Sequence, residues 1–469
     1  MDTTRSLVED LRRQVGDVTV RDAAREAAED YIRGASERGV FPTEEAIAHL
    51  KELPSALPRD PTSPAAILSL LHLIGSPATV AQTGGRYFGF VNGGCLPAAL
   101  AAKWLGDTWD QNAGLYVMSP IASALEAACE SWLVDLLGLP PGTAMGLVGG
   151  TSMATLCGLA AGRDELLLRA GWDAGSRGLF GAPEIRVVLG EQAHASVFKG
   201  LGLLGLGRDR VESVPVDAQG RMVASKLPAL DGKTLLVLQA GNVSTGAFDP
   251  LAEIIPAARA AGAWVHVDGA FGLWAAVSPR TRHLMAGADA ADSWSVDAHK
   301  TLNAPYDNGL VFCRSRDALA RAMRAAGAYF ILSEQRDSML YTPDMSRRAR
   351  GVELWATLLS LGRDGAAALV DELCARARQF AELLAAQGFR VRNDVVFNQV
   401  LVTCETAEIT QATLTGVQRS RECWCGGSSW ENAPAMRISV CSFMTTEDDV
   451  RRSVAAFVAA RESARRAAA

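Results

Sequence analysis

The sequence predicts an α/β fold in which a large domain built on a mainly parallel central sheet is followed by a smaller α+β domain. Three observations predict it. Short apolar runs, "AMGLV", "IRVVL", "TLLVLQ", "AWVHVD" and "GLVFC", alternate with helical stretches from about Gln82 to Arg314. These runs are bounded by Gly, Asp and Asn and are apolar at consecutive positions, the pattern of strands covered on both faces. After about Arg347 the order changes to long helical stretches followed by strands, which is the signature of a separate α+β unit.

Residues 1–81 read as amphipathic helices interrupted by proline, with no strand run. In "FPTEEAIAHLKELPSAL", Thr43 is placed to cap a helix whose first turn carries Glu44 and Glu45. Such a segment is expected to pack on a partner rather than form its own core. Residues 82–335 make the large domain and 336–469 the small one. The latter opens with helices "RGVELWATLLSLG" and "AALVDELCARARQFAELLAAQG", continues through strands "FRVRN", "NQVLVTC" and "AMRISVC", and closes with a helix from about Thr446.

Composition narrows the function. The 469 residues are 49% hydrophobic and 21% charged, with a formal net charge of -6, enough for a large core. The acidic balance argues against a nucleic-acid partner, which would need a basic face. No apolar run is long enough to cross a bilayer, and the start, "MDTTRSLVEDLRRQVGD", is charged without an apolar signal core. A cytoplasmic protein is therefore expected. Nine cysteines are scattered, and the C-x-C of Cys423 and Cys425 has no second pair at zinc-site spacing. They read as reduced buried thiols. Six histidines form no H-E-x-x-H pattern, so no metal site is expected.

Ligands of parallel α/β sheets bind beyond the carboxyl ends of the strands, and four such ends carry unusual residues. In "GLVGGTSMATLCGLAAG" two glycines lead from a strand into a helix opened by Thr151 and Ser152. That turn reads either as an ordinary cap or as an anion site. In "EQAHASVFKG", His194 follows a strand and is either structural or a ring that stacks on a planar ligand. In "AWVHVDGAFG", Asp268 ends a strongly apolar strand, where a carboxylate is costly unless paired. His266, in the same strand, reads as core. In "SVDAHKTLNAP", Lys300 stands 32 residues after Asp268, room for one helix and one more strand, with His299 beside it. An apolar wall and a cationic neighbour make a lysine nucleophilic toward an aldehyde. Together and in this order the four ends point to pyridoxal 5'-phosphate. Its aldehyde suits Lys300, its pyridine nitrogen Asp268, its ring face His194 and its phosphate Thr151 and Ser152, with His299 on the other face or at the phosphate.

The same residues carry a family resemblance. "SPIASALEAACESWLVDLLGLP", "GGTSMATL", "EQAHASV", "GNVSTGAFDP", "HVDGAFG" and "DAHK" stand in the order of the blocks of the group II pyridoxal-phosphate-dependent amino acid decarboxylases, which include aromatic amino acid and glutamate decarboxylases. The chain resembles that family from about Tyr87 to Val450. The resemblance implies fold type I, an obligate homodimer with its active site at the subunit interface, and loss of carbon dioxide from an L-amino acid substrate to give the amine. By the same resemblance Lys300 is the Schiff-base lysine, Asp268 the acid at the ring nitrogen and His194 the stacking histidine. Thr151 and Ser152 bind phosphate, and Asn242, Asp297 and His299 line the cofactor. Arg437 matches an arginine of the small domain that is either structural or faces the site.

The chain also departs from the pattern. "GGRYFGFVNGG" lacks the His-Pro that often precedes the equivalent aromatic pair, and Thr301 follows the lysine where aromatic amino acid decarboxylases usually carry tryptophan. The family's mobile loop often bears a tyrosine that returns a proton to the α-carbon. In "YFILSEQRDSMLYTPDM", Tyr341 is the first candidate for it and Tyr329 the second. Members without that tyrosine can release an aldehyde in an oxygen-consuming reaction. Aldehyde synthesis, carbon–carbon lysis, transamination and a non-catalytic cofactor-binding role therefore stay open beside decarboxylation. Trp104, Trp109, Gln111, Asn112 and Tyr116 are expected either to line the substrate pocket or to serve in packing.

Overall fold

The computed structural model describes residues 2–325 and 330–468. In chain order its strands are β1 (Tyr87–Phe88), β2 (Ala144–Val148), β3 (Arg186–Gly190), β4 (Val211–Val214), β5 (Thr234–Gln239), β6 (Trp264–Asp268), β7 (Ser293–Asp297), β8 (Gly309–Cys313), β9 (Arg390–Val391), β10 (Gln399–Thr403), β11 (Trp424–Trp430) and β12 (Ala433–Ser439). The large sheet runs β2-β8-β7-β6-β5-β3-β4. From β7 through β4 every pairing is parallel, and only β8 is antiparallel to its neighbours.

The strands are apolar throughout because both faces are covered. Met145 and Leu147, Leu236 and Leu238, Val265 and Val267, and Trp294 and Val296 join one core, together with Leu251, Ile254 and Ile255 of the helix Leu251–Ala260. The alternate residues Ala144 and Val148, Leu235 and Val237, and Trp264 join a second core, under the helix Thr151–Arg169. Side chains alternate across a strand, so two cores on two faces follow from a consecutive apolar run. The second core needs small helix residues above it. A Cβ on Gly158 would lie 2.6 Å from the His266 ring, and one on Gly162 would lie 2.7 Å from Trp264.

The small sheet runs β1-β11-β12-β10-β9, antiparallel except for β1 on β11. Its first strand, Tyr87–Phe88, thus comes from a stretch far earlier in the chain than the rest. Gly362, at φ 59, breaks the run Gly351–Ala386 into the two helices expected from sequence. Thr43 caps its helix as expected, accepting the Ala46 amide at 3.0 Å. Two expectations need correction. The crossover from β6 to β7 is a series of 3₁₀ turns, Gly272–Val277, Arg282–Met285 and Ala288–Ala290, not one α-helix, because Pro279 and Gly287 interrupt it. The strands β4 and β11, and the helix Ala407–Ser420, lack clear sequence signals: β4 has Glu and Ser inside it, and β11 is "WCGGSSW". Among the described residues no helix is long and apolar enough to cross a membrane.

His266 is a core residue, as its alternation implies. Its Nδ1 lies 2.9 Å from Ser293 Oγ and its Nε2 lies 3.3 Å from Ser295 Oγ. Burial pushes its pKa down to about 3, while the unfolded chain binds that proton near the ordinary value of about 6.5. Between these values the unfolded state holds more protons, so stability falls as pH falls, by up to ~1.4 kcal/mol per pH unit from this group. Denaturant titrations at several pH values across that window should show the loss, and His266→Asn should flatten it. Equal slopes in the two proteins would overturn this account.

Candidate active site

The cleft lies beyond the carboxyl ends of the parallel strands. After β2, Gly149 and Gly150 lead into the helix Thr151–Arg169. A Cβ on Gly150 would come within 3.4 Å of His299, so the turn is held close to the segment after β7. The Thr151 amide donates to Asp297 Oδ1 at 2.6 Å. Thr151 Oγ1 is buried without a hydrogen-bond partner, whereas Ser152 is exposed.

His194 caps the helix Ala195–Leu203, its Nδ1 accepting the Ser196 amide at 3.2 Å with Ser196 Oγ at 2.7 Å. An accepting Nδ1 leaves the proton of the neutral ring on Nε2. The residue is exposed, yet the protein packed around the ring removes enough water to pull its pKa below the ordinary value, against the opposing charge of Asp268. Asp268 ends β6 and is only 4% exposed. It accepts one amide, from Ala270 at 3.2 Å, and burial raises its pKa while His194 and Lys300 pull it back. His194 and Asp268 line one cleft with Ala193, Val237 and Gln239.

Asp297, at the end of β7, is the hub. Its Oδ2 lies 3.0 Å from Lys300 Nζ and 3.5 Å from His299 Nε2, while Oδ1 takes the Thr151 amide. His299 Nδ1 accepts the Asn308 amide at 3.0 Å, and its ring stacks on Tyr306 with centroids 4.2 Å apart. Burial pulls the His299 pKa down. The cationic neighbour expected for Lys300 is therefore corrected: the group on its amine is a carboxylate, and His299 is neutral because burial disfavours its charge.

Two other expected residues stand nearby with different partners. Asn242 is buried, and its Oδ1 accepts the amides of Ser244 and Thr245 at 2.9 and 3.2 Å, so its oxygen shapes its own turn. Its Nδ2 is buried without a partner. Arg437 donates to Val243 O at 3.3 Å and leaves Nε buried and unpartnered. Burial lowers its pKa, with Cys425 and Tyr87 the opposing influences, and its charge is felt at His194.

Tyr341 is not brought to Lys300 in this chain. It packs in the core under Thr151–Arg169, its hydroxyl accepts from Arg316 at 2.9 Å, and Arg336 lies over its ring. Both arginines pair with Glu130, so an ionic cluster captures the phenol. Position in the loop suggested it, but that cluster is not legible in the sequence. Tyr329 lies outside the described residues. Trp104, Trp109 and Tyr116 are exposed, Gln111 bonds Ser119, and Asn112 braces the backbone of Gly114 and Arg347. They stand apart from the cleft of His194 and Asp268.

Some residues that build the site were not foreseen. Asn303, at φ 59, accepts the amides of Gly94 and Phe443 at 2.6 and 3.0 Å and donates to Thr301 O and Cys441 O. It ties the Lys300 segment to both ends of the chain. A Cβ on Gly93 would lie 2.1 Å from the Lys300 carbonyl oxygen. Asp307 binds Arg348 and Arg350 and closes over Gly149. The one available cue was the glycine pair in "VNGG", which allows close backbone approach.

Comparison with known proteins agrees with this geometry. Residues 48–403 match the family model described as "Pyridoxal-dependent decarboxylase conserved domain". The chain is 27% identical over 448 residues to the aromatic-L-amino-acid decarboxylase of Bos taurus, covering 88% of this chain and 89% of that one. It is 26% identical over 376 residues to the 4-hydroxyphenylacetaldehyde synthase of Rhodiola rosea, covering 74% and 73%. Among solved structures, Oryza sativa TDC with PLP and tryptamine superposes with a TM-score of 0.85 at 22% identity, covering 95% of this chain and 98% of that one. The fold is thus that of the fold type I enzymes, and the chain belongs to the family of pyridoxal-phosphate-dependent decarboxylases.

Proposed function

We propose that the chain removes carbon dioxide from an L-amino acid, with Lys300, Asp268 and His194 as the working groups. The carrying observation is convergence: a buried strand-end carboxylate, a histidine from the neighbouring loop and a lysine amine held by Asp297 share one electrostatic neighbourhood.

The residues fit the cofactor. The orphaned Thr151 hydroxyl and the helix N-terminus around Ser152 suit a phosphate. Asp268 accepts a single amide and keeps acceptor capacity for a ring N–H. Bound there, pyridoxal 5'-phosphate supplies an aldehyde for an amine and a protonated ring that accepts electrons when a bond to the α-carbon breaks. Lys300 holds the cofactor until a substrate amine replaces it. Asp268 keeps the ring nitrogen protonated, and that pairing relieves the cost of its own burial. His194 covers the ring face. Asp297 positions the lysine amine and the Thr151 turn together, and His299 packs beside them. Arg437, with no carboxylate partner among the described residues, is assigned to the carboxylate of the incoming substrate. Asn242 is assigned a turn-shaping role, and Tyr341 no role as proton donor.

An oxygen-consuming release of aldehyde is the second reading. It is favoured by the anchoring of Tyr341 on Arg316 and by the likeness to the Rhodiola rosea aldehyde synthase.

A homodimer is supported by the N-terminal segment. The helices Val18–Gly34, Glu44–His49 and Pro64–Leu70 bury no residue within the chain. Val18, Ile32, Ile67, Trp104, Trp109 and Tyr116 are exposed. An apolar surface of that extent marks an interface, and we place an active site shared between subunits against it. We retain 1–81, 82–335 and 336–469 as the domain division. Nine unpaired cysteines support a reducing compartment, the cytoplasm.

Lys300→Ala should abolish the visible absorption band that the reconstituted protein shows with pyridoxal phosphate; a band that persists assigns the aldehyde to another amine. Asp268→Ala should stay folded and lose turnover by ~10²–10³-fold, the range for one preorganised electrostatic contact, and wild-type turnover would remove its assigned role. Product analysis over an amino acid panel should find amine and carbon dioxide. Aldehyde with ammonia and hydrogen peroxide would instead establish the second reading. Sedimentation should find a dimer, and a monomer with full activity would exclude a shared site.

A further inference from the structure

One face of the small sheet looks onto the cleft. Tyr87 pairs with Trp424 across β1 and β11, and Gly426 pairs with Arg437 across β11 and β12. Residues two apart on a strand share a face, so Tyr87, Trp424, Gly426 and Arg437 stand together. The alternate residues Phe88, Cys425, Met436 and Ile438 form the opposite core. The first face lies against the loop after β5, through Arg437 to Val243 O and Ser428 Oγ to Ser244 Oγ at 3.0 Å.

On that face the rings form a stack. Tyr87 and Trp424 have centroids 5.3 Å apart with planes at 13°, and Phe90 and Trp424 5.5 Å apart at 24°. Phe90 is 63% exposed. Its turn places Phe90 and Val91 at φ 51 and 58, a region costly for a non-glycine residue and most of all for a β-branched one. The glycines make the stack possible. A Cβ on Gly89 would fall 2.2 Å from Trp424, and one on Gly426 would meet only Arg437, at 3.8 Å, so an open slot separates the indole from the guanidinium. Tyr87 and Asp297 both act on the pKa of Tyr306, which packs on His299, so the stack borders the Lys300 end of the cleft.

We infer that Trp424 is a specificity-determining residue whose indole, with Tyr87 and Phe90, receives an aromatic substrate side chain while Arg437 holds the carboxylate. This rests on the carboxy-lyase reading and adds the substrate class. An apolar planar wall beside one unpaired cation matches an arylalkyl carboxylate. A diacid would leave its second charge against rings.

The test is calorimetric binding of 3-phenylpropionate and glutarate to the cofactor-loaded enzyme, since neither has an amine and neither reacts. Wild type should bind 3-phenylpropionate more tightly. Trp424→Ala should weaken that ligand about tenfold, the scale of one aromatic contact, and glutarate less than twofold, while Trp424→Phe restores binding. Should Trp424→Ala lose the visible cofactor band, Trp424→Leu against Trp424→Phe gives the same comparison. Tighter glutarate, equal weakening of both ligands, no change on substitution, or no binding of either ligand would overturn the inference. A panel that yields no decarboxylation while 3-phenylpropionate binds as expected would instead sink the reaction and leave the subsite standing.

Discussion

The Asp297 carboxylate holds the candidate site together. It is almost fully buried, and each oxygen is committed: one to the Thr151 amide and the other to the Lys300 amine, with His299 close by. A buried carboxylate survives only when its partners are supplied. Here the partners come from three separate stretches, so meeting that demand draws the glycine turn after β2, the end of β7 and the lysine into one constellation. The parallel sheet makes this possible, because it delivers successive strand ends to the same edge.

Asp268 shows the complementary situation. It has one backbone donor and is otherwise surrounded by protein, so its charged form is poorly supported by the chain alone. His194 and Lys300 offset part of that cost at a distance. Thr151 Oγ1, Asn242 Nδ2 and Arg437 Nε are likewise buried without partners nearby. Orphaned polar atoms are rare in folded proteins and call for an explanation. A ligand bearing a cationic ring nitrogen and anionic groups supplies one.

Much of this was readable in the sequence, for a physical reason. The strands β2, β3, β5, β6 and β8 are uniformly apolar and leave a strong local signal, and Thr151, His194, Asp268 and Lys300 stand just beyond strand ends. What was not readable is whatever depends on contact across the chain. β11 contains adjacent glycines and serines because its face abuts Arg437 and the loop after β5. Tyr341 looked free from its place in a loop, yet Arg316 and Arg336 capture it. Asn303 gave no cue, since a single asparagine after a lysine has many uses. The apolar rungs of the sheet are local information, whereas the ionic and amide clamps that aim the side chains are not.

Asn303 has one further consequence. Its amide group rivets the lysine-bearing segment simultaneously to Gly94 and to the Cys441–Phe443 stretch of the small domain. A hinge that swung the two sheets apart at this point would break four hydrogen bonds and carry the amine away with the moving part. Access for a substrate must therefore come from surface segments that fold back locally, and the floor of the chamber stays put through a catalytic cycle while its walls do the opening.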